Sequence, residues 1–203
     1  MRIAFVSGNR EKLPDAAIPL GLLYLIASTS ERHSKILVDL CFEEDPSEVL
    51  TRSLLEFQPE VVALGMRNIQ TADYSGVTNT VGYYGELLTV IRVASASPVV
   101  MGGSGFSVMP RELMERLRPD YGISGEAELA FPALLDAIEK GEGFERIGNL
   151  HWNQGGELTS NPPPSSFLDL NTLPPPDRSL VDDRYYDRFG IESLQTNSVS
   201  VLR

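Results

Sequence analysis

Pro59-Glu60-Val61-Val62-Ala63-Leu64-Gly65-Met66-Arg67-Asn68 decides the fold. Val61–Leu64 is an unbroken apolar run with no polar alternation. Such a run suits a strand of a sheet covered on both faces, the usual state of parallel strands. It ends in a glycine followed by a charged and an amide side chain, as a buried strand does when it opens into a loop. Working outward, the same alternation of short apolar runs and longer helical patterns recurs. Upstream, Ile3–Val6 and Ile36–Leu40 read as strands, and Ile18–Ser30 and Ser47–Phe57 as helices. Asp45 or Ser47 can cap the second of these. Downstream, Thr80–Ala94 reads as a helix and Pro98–Met101 as a strand. A short helix, Pro110–Leu117, then carries proline in its first turn. Tyr121–Ile123 reads as a strand, and Glu126–Glu139 as a helix.

This succession predicts an α/β fold: a doubly wound parallel five-stranded sheet in the flavodoxin-like, Rossmann-type order 2-1-3-4-5. Ligands of such sheets bind beyond the carboxyl ends of the strands. The loops of interest are therefore Ser7–Ala17, Gly65–Asn79, Gly102–Met109 and Ser124–Glu128. After residue 142 the character changes. Asn149–Trp152 and Glu157–Thr159 flank Asn153-Gln154-Gly155-Gly156, a hairpin signal. Pro162-Pro163-Pro164 and Pro174-Pro175-Pro176 then mark extended connectors. The expected division is a ligand-binding domain over 1–142 and a hairpin with a proline-rich connector over 143–203.

The chain has 203 residues, 42% of them hydrophobic, enough for a sizeable core. No apolar run approaches the roughly 18 residues of a membrane span. Met1-Arg2-Ile3-Ala4-Phe5-Val6 reads as a strand beginning at once and leaves no place for a signal peptide, so a cytoplasmic protein is expected. The net charge of −11 argues against a nucleic-acid or anionic-membrane partner. The single cysteine, Cys41, excludes an internal disulfide framework.

Three loops carry candidate chemistry. Gly102-Gly103-Ser104-Gly105-Phe106 is either a cradle for a flat or phosphate-bearing ligand or a tight turn before a helix. It lacks the Gly-Lys-Ser/Thr of a P-loop and does not match GxGxxG. In Ser124-Gly125-Glu126-Ala127-Glu128 the acidic residues suit a helix N-terminus, and Gly125 leaves bare backbone for a bound group. Arg67 and Asn68, after Gly65-Met66, either orient a ligand or, for Arg67, pair with a carboxylate such as Asp73. His33 reads as a surface turn residue, and His151, in the hairpin, has no metal-ligand companions.

Taken in order, these pieces resemble the cobalamin-binding domains of cobalamin-dependent radical S-adenosylmethionine (SAM) enzymes. The resemblance rests on Pro19-Leu20-Gly21-Leu22-Leu23-Tyr24-Leu25, Val38-Asp39-Leu40, Pro59–Gly65, Val99-Val100-Met101-Gly102-Gly103 and Asp120–Glu128. It continues into the tail through Leu168-Asp169-Leu170 and Leu173–Asp177, and covers residues 1–196. Ala127 stands where the family has the second glycine of Gly-Glu-Gly-Glu. The resemblance implies a cobalamin site formed by Asn9, Leu13, Pro14, Gly65, Met66, Arg67, Asn68, Gly102, Gly103, Ser104, Gly105, Phe106, Ser124, Gly125, Glu126 and Glu128. It implies no metal-ligating residue. The loop Ser7–Pro14 lacks the histidine of the Asp-x-His-x-x-Gly motif that ligates cobalt from below in mutases, so no lower histidine ligand is expected. Arg67 or Asn68 is then expected near the lower face. Ser193-Leu194-Gln195-Thr196 resembles the lead-in to a radical SAM core, but no CxxxCxxC motif follows. The chain is therefore expected not to be a radical SAM enzyme by itself. The 4Fe–4S cluster and SAM belong to a catalytic domain missing here, a partner in cis or in trans and most simply a methyltransferase. A flavin- or nucleotide-binding flavodoxin-like domain is the alternative, and a degenerate domain serving assembly is a third.

Overall fold

The computed structural model describes residues 1–12, 15–69, 79–165 and 168–186. A seven-stranded sheet organises them in the order β2-β1-β3-β4-β5-β6-β7. Its parallel strands are β1 (Arg2–Ser7), β2 (Ser34–Asp39), β3 (Val61–Gly65), β4 (Val99–Gly102) and β5 (Tyr121–Ile123). The expected order 2-1-3-4-5 is thus observed. The sheet then continues beyond it: β6 (Leu150–Gln154) runs antiparallel to β5, Ile123 facing Leu150, and β7 (Glu157–Ser160) closes the hairpin. Gly155 and Gly156 form the turn with φ of 63° and 93°, the pair of positive values that a two-residue hairpin loop of matching twist requires.

Side chains of each central strand alternate between two cores. Ile3 and Phe5 of β1, with Val61 and Ala63 of β3, face helices α1 (Leu20–Ser28) and α6 (Ala130–Lys140). Ala4, Val6, Val62 and Leu64 face α2 (Pro46–Phe57), α3 (Thr80–Ala94) and α5 (Pro110–Leu117). That double burial is why the strand runs are continuously apolar. The helices are stopped and started by local chemistry. Asp45, rather than Ser47, caps α2 by accepting from the Glu48 N–H at 2.9 Å. Asn79 caps α3 in the same way through Gly82.

Two helices begin later than the sequence pattern suggests, and proline explains both. Ile18 precedes Pro19, which disfavours helical backbone there, and α1 starts at Leu20. Pro132 has no N–H to give an earlier carbonyl, so it fits only the first turn of a helix. Accordingly α6 starts at Ala130, and Ser124–Glu128 is a loop, not a helix opening. Glu126 and Glu128 thus precede the first turn of α6, with Glu128 next to its N-cap Leu129. A further short helix, α4 (Ser104–Val108), takes up residues read as a glycine-rich cradle or turn.

Past the hairpin, the described tail returns along the domain. Val181 and Tyr185 are buried in the α1/α6-side core. The Tyr185 hydroxyl donates to Asp39 Oδ2 at 2.7 Å, and its ring meets Phe42 edge-on at 4.8 Å. Among the described residues no helix is long and apolar enough to cross a membrane.

Gly122, in the middle of β5, has no room for a side chain: an added Cβ would collide with Phe106 Cζ and stand 2.8 Å from Met114 Sδ. Both neighbours are fully buried. Gly122→Val is expected to lower folding stability by about 1–3 kcal/mol, the range for overpacking, read as a fall in the urea midpoint without a change in slope.

Candidate functional site

The carboxyl ends of β1, β3, β4 and β5 open into a cavity of about 690 Å³. It descends on the α1/α6 side of the sheet, with Ala63, Val100 and Ile123 on the sheet side and Leu22, Leu25 and Phe131 on the helical side. Its depth is apolar and its rim polar, the usual build of a small-molecule site, and its volume lies within the range of about 300–1,000 Å³ for such sites. A second hollow of about 580 Å³ follows α2 between Asp45 and Glu56. It is formed by one face of that helix alone and gathers no loops.

The rim is stitched together by short bonds between loops. The Met66 N–H donates to the Gly102 carbonyl at 2.7 Å, one step beyond the β3–β4 ladder, and the Gly105 N–H donates to the Met66 carbonyl at 2.9 Å. Ser104 Oγ donates to the Arg67 carbonyl at 2.6 Å. Ser107 Oγ donates to the Gly103 carbonyl and accepts from the Gly125 N–H, each at 2.8 Å. Three loops after three strands are therefore tied to one another.

Of the residues expected at the site, Asn9, Gly65, Met66, Arg67, Gly102 and Gly103 line the cavity, as do Ser104, Gly125, Glu126 and Glu128. Four others do not. Asn68 turns to Glu11, donating to Oε2 at 2.6 Å. Gly105 is pressed against the backbone of Asn68, 2.9 Å from where its Cβ would be. Phe106 is fully buried in the opposite core. Ser124 Oγ is 3.0 Å from His151 Nε2. Leu13, Pro14 and Asp73 lie outside the described residues. Arg67 stands 4.0 Å from Glu11.

The sequence reading missed the wall at the entry to α1, Ile18 to Leu22. One signal was available there. Gly21 sits in the first turn of α1, glycine is the poorest helix former after proline, and nothing lies within 4 Å of the Cβ it lacks. No protein contact demands that glycine. Gly103 is different: φ is 102°, and a Cβ would come within 2.6 Å of the Met66 carbonyl oxygen.

Two buried polar atoms at the cavity have no partner, Asn9 Nδ2 and Glu128 Oε2. Neither histidine lines the cavity. His33 is held at the amino end of the sheet between the Met1 amino group and Arg32, each at 3.1 Å. His151 lies between Ser124 and Ser160, with the second bond at 2.8 Å. Among the described residues no cluster of His, Cys, Asp and Glu is arranged to hold a metal ion.

A doubly wound sheet with an apolar, glycine-rimmed cleft at its strand ends defines a Rossmann-like cofactor-binding domain. The chain belongs to the B12 binding domain family, whose model matches residues 7–135. Among curated proteins it is similar to an uncharacterized methyltransferase of Pyrococcus horikoshii, 28% identical over 179 residues, which are 85% of this chain and 36% of that protein. It is also similar to a tryptophan 2-C-methyltransferase of Streptomyces laurentii, 31% identical over 178 residues, 85% of this chain and 29% of that protein. Among solved structures, the radical SAM methyltransferase TsrM of Kitasatospora setae, with cobalamin and a 4Fe–4S cluster bound, superposes with a TM-score of 0.71 at 29% identity. It covers 81% of this chain and 31% of its own. The cobalamin-dependent radical SAM enzyme OxsB shares the fold, with a TM-score of 0.61 at 15% identity over 81% of this chain and 22% of its own. The chain thus spans about a third of the length of the curated relatives it matches.

Burial lowers the pKa of His151 and of His33 from 6.5, and for His33 the Met1 amino group and Arg32 add to it. The folded protein therefore favours neutral imidazoles, and the unfolded chain binds more protons as pH falls past 6.5. Stability from these groups is complete above that pH and declines below it. The urea midpoint is expected to be level from pH 8 to 7 and to fall between pH 6.5 and 5.5. His151→Gln should flatten part of that fall.

Proposed function

We propose that this chain binds cobalamin in the cavity at the sheet edge, without a protein histidine as lower ligand. In this reading residues 1–142 hold the cofactor, and the stretch over 143–203 leads to a radical SAM methyltransferase domain that carries the 4Fe–4S cluster and SAM. The observation that carries it is the cavity itself: apolar in depth, bare of side chains at Gly21 and Gly125, and furnished with two unpartnered buried polar atoms. A buried polar atom without a partner calls for one, so the residues present fit an amide-rich ligand. The domain supplies binding and orientation.

The apolar slot between Leu22, Leu25 and Phe131 suits the aromatic base of the nucleotide tail, and Gly65, Gly103 and Gly125 suit its passage. When bound, cobalamin would supply a cobalt centre able to carry a methyl group. Arg67, exposed at the rim, would lie near the lower face, where its guanidinium offers donors but no lone pair to the cobalt. Asn68, tied to Glu11, serves that face only by holding the loop. Both histidines are engaged away from the cavity, which supports a cobalt without one. The flavin or nucleotide alternative requires hydroxyls and amides around a phosphate at the β1 loop. Ser7 is the one hydroxyl that the described part of that loop brings to the cavity.

The test is to incubate the purified chain with hydroxocobalamin, remove free cofactor by gel filtration and record the visible spectrum. A corrinoid spectrum co-eluting near one equivalent, with band positions of a displaced lower base, is the expected result. A colourless protein would count against the reading. Gly21→Leu should leave the apo-protein as stable as before or more so, yet weaken retention of the corrinoid at least tenfold. Gly103 is unsuitable for this purpose, since any side chain there strains the fold first.

A further inference from the structure

The two unpartnered atoms differ in kind and in place. Asn9 is nine-tenths buried. Its Oδ1 accepts the Glu11 N–H at 3.4 Å, which orients the amide and leaves Nδ2, a donor, with nothing to bond. Glu128 Oε2 is buried and accepts from no group. Asn9 follows β1 and Glu128 follows β5. With β3 and β4 between those strands, the strand ends that carry the two are three spacings apart, about 14 Å. Other unpartnered buried atoms, on Ser28, Thr80 and Tyr83, are hydroxyls that can rotate, and they do not line the cavity. A carboxylate oxygen and a fixed amide donor have no such freedom.

The charge around them is also informative. Among the described residues lining the cavity, Arg67 is the one cation, and Glu11 stands 4.0 Å from it. Glu126 and Glu128 place two carboxylates at the opposite side. A terminal phosphate, carrying close to two negative charges, would meet repulsion there. A ligand whose one phosphate is an internal diester with a single charge, and whose rim presents carbonyls and N–H or O–H groups, would meet less of it.

We infer that Asn9 and Glu128 form a paired recognition device that selects an amide-bearing corrinoid over a ligand ending in a phosphate dianion, Asn9 donating to a ligand carbonyl and Glu128 accepting from a ligand N–H or O–H. This deepens the cobalamin reading and rests on it. The donor to Glu128 comes either from a primary amide of the corrin rim or from a ribose hydroxyl of the nucleotide tail; both are neutral hydrogen-bond donors.

The device makes the empty site costly, and that gives it a signature unlike a structural role. Asn9→Leu and Glu128→Met remove the lone polar atoms while keeping side-chain length. Both variants of the full chain are expected to melt at or above the wild-type temperature without cofactor. Both should bind hydroxocobalamin more weakly, about tenfold for Asn9→Leu and up to about a hundredfold for Glu128→Met, as losses of a neutral and a charge-assisted bond. Flavin mononucleotide should bind the wild type at least a hundredfold less tightly than hydroxocobalamin. Titration with cobinamide, which lacks the nucleotide tail, separates the two sources. An equal loss for Glu128→Met with both corrinoids assigns the rim amide; a loss with hydroxocobalamin alone assigns the ribose. Variants that melt lower and bind as tightly as the wild type overturn the inference while leaving cobalamin binding intact. A wild type that binds neither corrinoid overturns the cobalamin reading itself, and a wild type that prefers the flavin overturns both.

Discussion

The architecture of the site depends on one close approach of backbones. Where the β3–β4 ladder ends at Gly65 and Gly102, Met66 adds one more bond to Gly102 and accepts one from Gly105. The two loops can meet this closely because Gly103 and Gly105 have no side chains to hold them apart. Met66 is then driven into the α2/α3/α5-side core and is fully buried there. Arg67, on the next residue, is thereby left at the rim of the opposite side. Ser104 and Ser107 complete the tie, the latter reaching across to the loop after β5. The cavity is the space that this rigid rim leaves between the sheet and α1 and α6.

Glycine has two unlike roles around that space, and its letter in the sequence is the same for both. At Gly103 the protein's own carbonyl forbids a Cβ, so the residue would be glycine with or without a ligand. At Gly21 no atom of the protein forbids one, and helix propensity argues against glycine. Gly125 lies between: its φ of 73° favours glycine, while the nearest atom to an added Cβ, Asn149 Nδ2, is 3.4 Å away. Absence of a side chain points to a ligand only where the fold does not already require that absence.

This distinction also sets how much was legible in the sequence. The parallel sheet and its order were readable because strands buried on both faces have to be apolar at every position, as Ile3–Val6 and Val61–Leu64 are. The loops at the strand ends were readable from topology. The starts of α1 and α6 were misjudged by two and four residues against Ile18 and Glu126, although Pro19 and Pro132 carried the needed restraint. The place of the hairpin was not legible. A hairpin signal is local, whereas the pairing of Leu150 with Ile123 is a choice of edge made in three dimensions. Phe106 and Asn68 do not line the cavity, Phe106 because α4 turns its ring into the opposite core and Asn68 because Glu11 draws its amide aside, neither of which the order of residues reveals.

The tail adds a constraint that composition conceals. After β7 the chain stands at one edge of the sheet, yet Tyr185 hydrogen-bonds to Asp39, the last residue of β2 at the other edge. The connector between them therefore spans the width of the domain. Burial of Val181 and Tyr185, together with the Phe42–Tyr185 ring contact, fixes its far end. Burial and the Asp39 carboxylate hold the Tyr185 phenol protonated by raising its pKa, so the bond keeps one donor and one acceptor across the physiological range. Because Asp39 is at the carboxyl end of its strand, this anchor lies on the same edge of the sheet as the mouth of the cavity. The path of the connector thus returns the chain to the side of the sheet on which the site opens.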